Sequence, residues 1–234
     1  LYADMRAVFW FAVIPAALAV ALVIFGVEDR AAGPERAARQ PPIRFADLAR
    51  LPRAFWIVTA VGVVFTLARF SEAFLVLRAH DLGLPIGLAP LALIAMNVVY
   101  SLGAYPAGIW SDAARPATLL LWGLAALLAA DLALAAASGV WLAFVGIALW
   151  GVHMALTQGL LAKLVADAAP ADLRGSAFGV FNFASGLAML AASLVAGLAW
   201  DRLGALATFL IGALFAVAAA ALVAALSAAP ARAP

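Results

Sequence analysis

Residues 117–137 read ATLLLWGLAALLAADLALAAA, an apolar run in which Asp131 is the one charged residue. A helix needs about 20 such residues to cross the hydrocarbon core of a bilayer. The run is continuous, whereas a barrel strand alternates apolar and polar residues over about half this length. The stretch therefore predicts a membrane-spanning α-helix.

Six other stretches share this character, so the sequence predicts an all-α integral membrane protein with about seven transmembrane helices. The composition agrees, because 68% of the 234 residues are hydrophobic and 11% are charged, whereas soluble domains carry about 25% charged residues. The predicted spans are residues 7–27, 54–77, 88–110, 117–137, 140–162, 175–200 and 204–227.

The remaining composition excludes several classes of function. The net charge is +2 and no basic stripe is present, so nucleic acid is not expected as a partner. The chain has no cysteine and two histidines, which predicts neither a disulfide nor a metal site or cofactor. Paired membrane aspartates, an H-E-x-x-H motif and a Ser/His constellation are all missing from the sequence, so we do not expect an enzyme.

Residues 28–53 form the one long polar segment between predicted spans, with ten charged residues and four prolines. They predict a charged linker between the first span (1–27) and a bundle at 54–227, followed by a tail at 228–234. Ten Lys and Arg residues lie on the side of this linker and three on the other. By the positive-inside rule, the linker and the C-terminus are expected in the cytoplasm.

An internal repeat relates the last six predicted spans. Residues 107–112 read AGIWSD and residues 196–201 read AGLAWD, each at the end of a span, and Gly123 and Gly212 follow at matching places. The offset is 89 residues, and it also maps the second span onto the fifth. The bundle therefore reads as two three-helix units, about 54–137 and 140–227, in opposite orientations, which is typical of secondary transporters.

The order of one span, a long arginine-rich loop and six spans resembles the major facilitator superfamily of transporters. The resemblance implies that the first span is the family's sixth helix and that the rest is the C-terminal half. We therefore expect a fragment that lacks the N-terminal half of the transporter, in the inner or plasma membrane.

A short motif carries this resemblance further. Residues 108–115, GIWSDAAR, are similar to the family's cytoplasmic G-x-x-x-D-R-x-G-R motif, with Ala113 where arginine is usual. The resemblance implies a conformational role for three residues. Gly108 would allow close helix contact, Asp112 would accept from the amides that open the next helix, and Arg115 would face phosphates or a carboxylate.

Three formal charges fall within the predicted spans: Arg69, Glu72 and Asp131. An ionisable side chain at this depth is a functional candidate by default. On a continuous helix Arg69 and Glu72 share one face. Glu72 could take up and release a proton with Arg69 as its partner or as an anion contact, or the two could form a structural ion pair. For Asp131 a packing or snorkelling role is expected.

Four uncharged polar residues complete the predicted substrate and proton-coupling site: Asn97, His153, Gln158 and Asn182. His153 could relay a proton or donate a structural hydrogen bond, and polar residues can also act as glue between helices. The helices that carry these residues are those that line the family's cavity. We expect a secondary transporter of a small molecule that works by alternating access and is coupled to protons. The alternative is a seven-helix receptor or sensor without transport activity.

Overall fold

The computed structural model describes residues 2–26 and 48–228 of the chain. The chain divides into two compact units, residues 1–44 and residues 45–234. The first unit contains helix α1, Tyr2–Gly26, where the sequence predicts a span at 7–27. Most of the predicted linker 28–53 and nearly all of the tail 228–234 lie outside the described residues, so these predictions are not tested.

The second unit is a bundle of six further helices, as far as the described residues go. They are α2 (Arg53–Ala68), α3 (Ala73–Asp81), α4 (Pro90–Ala113), α5 (Pro116–Ala136), α6 (Val140–Ala168) and α7 (Arg174–Ala228), with a short 3-10 turn at Ile86–Leu88 before α4. By length and hydropathy, five described segments could each cross a membrane: Arg53–Asp81, Ile86–Ala113, Pro116–Ala136, Val140–Ala168 and Arg174–Ser227.

Helix α7 contains two crossings, because the chain reverses inside it. Gly204 has a φ of 84° and a ψ of 177°, a conformation that residues with a Cβ rarely adopt. The Thr208 hydroxyl lies 3.4 Å from the carbonyl oxygen of Ala196, although 12 residues of straight helix would separate them by about 18 Å. The predicted spans at 175–200 and 204–227 therefore correspond to the two arms of α7.

The span predicted at 54–77 lies within one apolar segment long enough to cross a membrane, Arg53–Asp81, but this segment is not a continuous helix. Helix α2 ends at Ala68, Arg69 is extended with φ −119° and ψ 106°, and α3 begins only at Ala73. We call residues 69–72 the break. Hydrophobicity alone could not predict it, because two serine hydroxyls stabilise the interrupted backbone. The Ser71 amide donates to Ser193 Oγ of α7 at 3.2 Å, and the Ala73 amide donates to Ser71 Oγ at 3.3 Å.

Glycines let the helices of the bundle approach closely. A Cβ on Gly123 of α5 would collide with the Thr157 methyl of α6. A Cβ on Gly212 would lie 2.8 Å from the Phe70 ring at the break. With the 89-residue offset, Thr157 corresponds to position 68, two residues before Phe70. The two glycines therefore contact neighbouring positions of the predicted repeat, two residues apart in register.

Candidate functional site

A cavity of about 320 Å³ opens between α2, α6 and the first arm of α7. This volume lies at the lower end of the range for small-molecule pockets. Its walls combine aromatic rings with one guanidinium, one imidazole, two amides and three hydroxyls. The lining residues are Phe65, Thr66, Arg69, His153, Thr157, Gln158, Leu161, Ala162, Phe178, Phe181, Asn182 and Ser185. Four of the six predicted site residues therefore lie together.

Arg69 reaches this cavity from the break at the end of α2. It is half-buried, and within the described residues its guanidinium makes neither a hydrogen bond nor an ion pair within 4.0 Å. Glu72 attracts the guanidinium electrostatically but does not approach it within 4.0 Å, so the two do not form a close ion pair. The prediction that the two side chains share one helix face is also wrong, because the helix is interrupted between them. A partly desolvated cation without a hydrogen bond or close ion pair favours an anionic or strongly polar ligand.

Glu72 lies outside the cavity lining. It precedes the first residue of α3, with φ −60° and ψ −13°, and its side chain is half-buried. The Glu72 carbonyl accepts a hydrogen bond from the Leu75 amide at 3.1 Å. Glu72 therefore lies at the C-terminal end of the break, whereas Arg69 lies at its N-terminal end and lines the cavity.

His153 is buried on α6, and its Nδ1 lies 2.8 Å from the carbonyl oxygen of Gly123 on α5. A carbonyl oxygen can only accept, so Nδ1 carries the proton of this bond. In the neutral ring, Nε2 is then a hydrogen-bond acceptor. The ring also stacks on Phe65, with centroids 6.4 Å apart. The bond to Gly123 agrees with the alternative that His153 donates a structural hydrogen bond. The Nε2 acceptor adds a second polar group to the cavity beside Arg69.

Gln158 and Asn182 line the cavity from α6 and α7, whereas Asn97 does not. The Tyr100 hydroxyl of α4 lies 3.5 Å from Oε1 of Gln158, at the limit of a hydrogen bond. Asn97 is exposed, and its Nδ2 donates to the Leu93 carbonyl one turn earlier in the same helix. The structure therefore places Asn97, a residue of the predicted site, away from this cavity.

Sequence reasoning missed one wall of the cavity. Phe178, Phe181, Asn182 and Ser185 follow the i, i+3, i+4, i+7 spacing of one helical face. This periodicity could have identified the face, of which the predicted site included only Asn182. The Ser185 hydroxyl is buried without a hydrogen-bond partner among the described residues. Such a group favours a ligand or a water molecule in the cavity.

The predicted conformational motif at the end of α4, residues 108–115, makes other contacts than those that the resemblance implies. Asp112 does not accept from the amides of α5. Its Oδ1 instead accepts from Lys163 Nζ of α6 at 2.8 Å. A Cβ on Gly108 would meet nothing within 4 Å, so Gly108 is not a close-contact position. Arg115 is exposed and precedes Pro116, the first residue of α5.

Asp131 does not snorkel to the membrane surface. Its relative exposure is 0%, and both carboxyl oxygens lack a hydrogen-bond partner among the described residues. It lies apart from the cavity described above.

Comparisons with known proteins complete the description. The model of the family described as Major Facilitator Superfamily matches residues 73–234. An uncharacterised MFS-type transporter of Methanocaldococcus jannaschii is 31% identical over 173 residues, which cover 71% of this chain and 43% of that protein. The chain thus spans less than half the length of this curated relative.

Proposed function

The chain belongs to the major facilitator superfamily, and we propose that it forms the C-terminal half, with the helix before it, of a secondary active transporter. In this proposal a preceding half completes the path of a small-molecule substrate through the bilayer. The segment 28–53 and the C-terminus lie in the cytoplasm. Transport proceeds by alternating access and is coupled to protons.

The observation that carries the proposal is an arginine at a break in a membrane-spanning segment, whose guanidinium makes no hydrogen bond or close ion pair within the described residues. Arg69 lines a cavity together with His153, Gln158 and Asn182. Interrupted helices form the substrate and ion sites of many secondary transporters, because they offer unpaired backbone groups and a place to bend.

Each residue has a distinct part in the proposed mechanism. Arg69 binds an anionic or polar group of the substrate, while Gln158 and the Nε2 acceptor of His153 orient it. Glu72 takes up a proton from one side of the membrane and releases it on the other. Because Glu72 and Arg69 flank the break, protonation of Glu72 changes the field at Arg69 and biases the angle between α2 and α3.

Alternating access predicts that the cavity is reached from each side of the membrane in turn. These 234 residues contain no cysteine, so Ser185→Cys adds one thiol to them, in the cavity wall. A membrane-impermeant maleimide should label it in both right-side-out and inverted vesicles, and a change of pH should raise one rate while lowering the other. Ser227→Cys, at an exposed position in the last turns of α7, is the control and should react from one side only. Labelling of Ser185→Cys from a single side under all conditions would contradict the proposal.

Proton coupling is tested separately with Glu72→Gln, which keeps the size of the side chain and removes its titration. The protein is reconstituted at its full encoded length, with a transported solute found by screening. Glu72→Gln should lose accumulation against a gradient and keep exchange of the solute at equilibrium. If the variant accumulates solute as well as the parent does, Glu72 does not carry the proton.

A further inference from the structure

A second site lies between α5 and the second arm of α7, and its central residue is Asp131. The side chain is completely buried, and neither carboxyl oxygen has a hydrogen-bond partner among the described residues. A buried carboxylate without a compensating group is strongly disfavoured, and such groups bind a proton instead. A neutral carboxylic acid requires far less compensation than its anion does.

The carboxyl group packs directly on a glycine. A Cβ on Gly212 would lie 2.8 Å from Oδ2 of Asp131 and 2.8 Å from the edge of the Phe70 ring. On the α6 side of α5, a Cβ on Gly146 would lie 2.6 Å from Leu134. The helices are therefore in close contact around Asp131, and Gly212 leaves room for the carboxyl group and the aromatic ring together.

The charged groups on the neighbouring elements do not compensate Asp131. At the break, Arg69 faces the cavity, and on α3, Arg78 donates to carbonyl oxygens at the end of α5. On α6, His153 is bonded to the Gly123 carbonyl. The charged residues of α7 nearest this contact in sequence, Asp201 and Arg202, are exposed. None of these side chains forms a hydrogen bond or ion pair with Asp131.

We propose that Asp131 is a proton-binding site whose neutral form holds the second arm of α7 against α5 at Gly212. When the O–H bond breaks, its electron pair stays on the carboxylate oxygen and the proton passes to water. The new anion must then be hydrated, so the contact at Gly212 opens. Phe70 belongs to the break and packs on the same glycine, so the opening removes one wall that holds the break in place.

The first test is the infrared spectrum of the full chain in lipid vesicles. At neutral pH the parent should show the carbonyl stretch of a protonated carboxyl group, and this band should be lost in the near-isosteric Asp131→Asn. Asp201→Asn, which removes an exposed carboxylate, should keep it. Titration of the parent to alkaline pH requires no variant and should convert the band to carboxylate. Absence of the band from the parent at neutral pH, or its persistence in Asp131→Asn, would overturn the proposal.

The second test asks whether the proton controls the contact. Amide hydrogen exchange at residues 208–215 is compared between the parent and Asp131→Asn across pH, with intrinsic exchange corrected. The two should exchange alike while Asp131 is neutral, and the parent should exchange faster once the infrared band has disappeared. A constant ratio of the two rates across pH would contradict the control of the contact by this proton. The proposed transport mechanism does not require protonation of Asp131, so failure of either test leaves the labelling of Ser185→Cys and the role of Glu72 unaffected.

Discussion

Two segments of the bundle occupy equivalent places in the predicted internal repeat, and only one of them is a continuous helix. The offset of 89 residues relates Arg53–Asp81 to α6, Val140–Ala168. It also makes Arg69 equivalent to Gln158, and both side chains line the cavity. At this shared position one segment unwinds and presents a charge, whereas the other stays helical and presents an amide.

The difference indicates which wall of the cavity is fixed. Helix α6 packs through Gly146 against α5 and through Gly151 against α4, and its Trp150 is completely buried. The broken segment depends at its break on the hydroxyl of Ser193. We therefore infer that α6 is the rigid wall and that the break is where the cavity changes shape.

The largest effect on transport is expected when glutamine occupies both equivalent positions, 69 and 158. Arg69→Gln keeps a hydrogen-bonding side chain and removes the charge, so a charge-assisted bond to substrate is lost, about 1.5–3 kcal/mol or about 10- to 100-fold in transport rate. Gln158→Ala should reduce transport less, because it removes a neutral bond. The measurement is initial uptake into proteoliposomes. Parent-like transport by Arg69→Gln would exclude Arg69 from substrate binding.

The rigid wall should be sensitive to added volume where it contacts α5. In Gly123→Ala the new methyl group collides with Thr157, whose hydroxyl is bonded to the His153 carbonyl at 2.8 Å and so resists a change of rotamer. We expect a loss of about 1–3 kcal/mol in the free energy of unfolding. Gly159→Ala is the matched control, since its Cβ meets nothing within 4 Å. Unfolding in mixed detergent micelles measures both, and equal stabilities would contradict the close contact.

The backbone at the break should become less stable when the hydrogen bond from the Ser71 amide to the Ser193 hydroxyl of α7 is removed. Ser193→Ala leaves the Ser71 amide without its acceptor, which costs about 1 kcal/mol when water can partly replace it. Ser227→Ala is the control, because that hydroxyl bonds only within its own helix. Hydrogen exchange should become faster at residues 69–75 in Ser193→Ala and stay unchanged at 145–160. Faster exchange in both regions would show a general loss of stability and not a local effect.

The smallest effect is expected at the end of α4. The pair of Asp112 and Lys163 is exposed at both partners, with side-chain exposures of 78% and 47%. Solvent screens such pairs, so Asp112→Asn should leave the midpoint of thermal unfolding unchanged within error. A clear loss of stability would mean that this contact holds α4 to α6 more strongly than its geometry indicates.

Sequence patterns predicted the fold more completely than the site. Long apolar runs identify membrane helices because lipid requires every backbone group to be paired within the segment. Hydropathy does not reveal the break, because side chains distant in sequence satisfy the backbone there. Ser193 is the main example. Arg69, His153, Gln158 and Asn182 could be chosen by polarity. Phe178 and Ser185 are visible only as a helical face, and the burial of Asp131 depends on Gly212, which is 81 residues away.

The most direct test of the account measures distances across the two equivalent segments. Paired spin labels are introduced into the cysteine-free chain through Trp56→Cys with Leu77→Cys across the break, and through Val145→Cys with Ala166→Cys on α6. Each pair spans the same number of residues, about 31 Å along a straight helix. In lipid nanodiscs at acidic and alkaline pH, electron double resonance should give one narrow, constant distance for the α6 pair. The pair across the break should give a distribution that shifts with pH. Two equally narrow and constant distributions would contradict the assignment of the break as the moving part of the cavity.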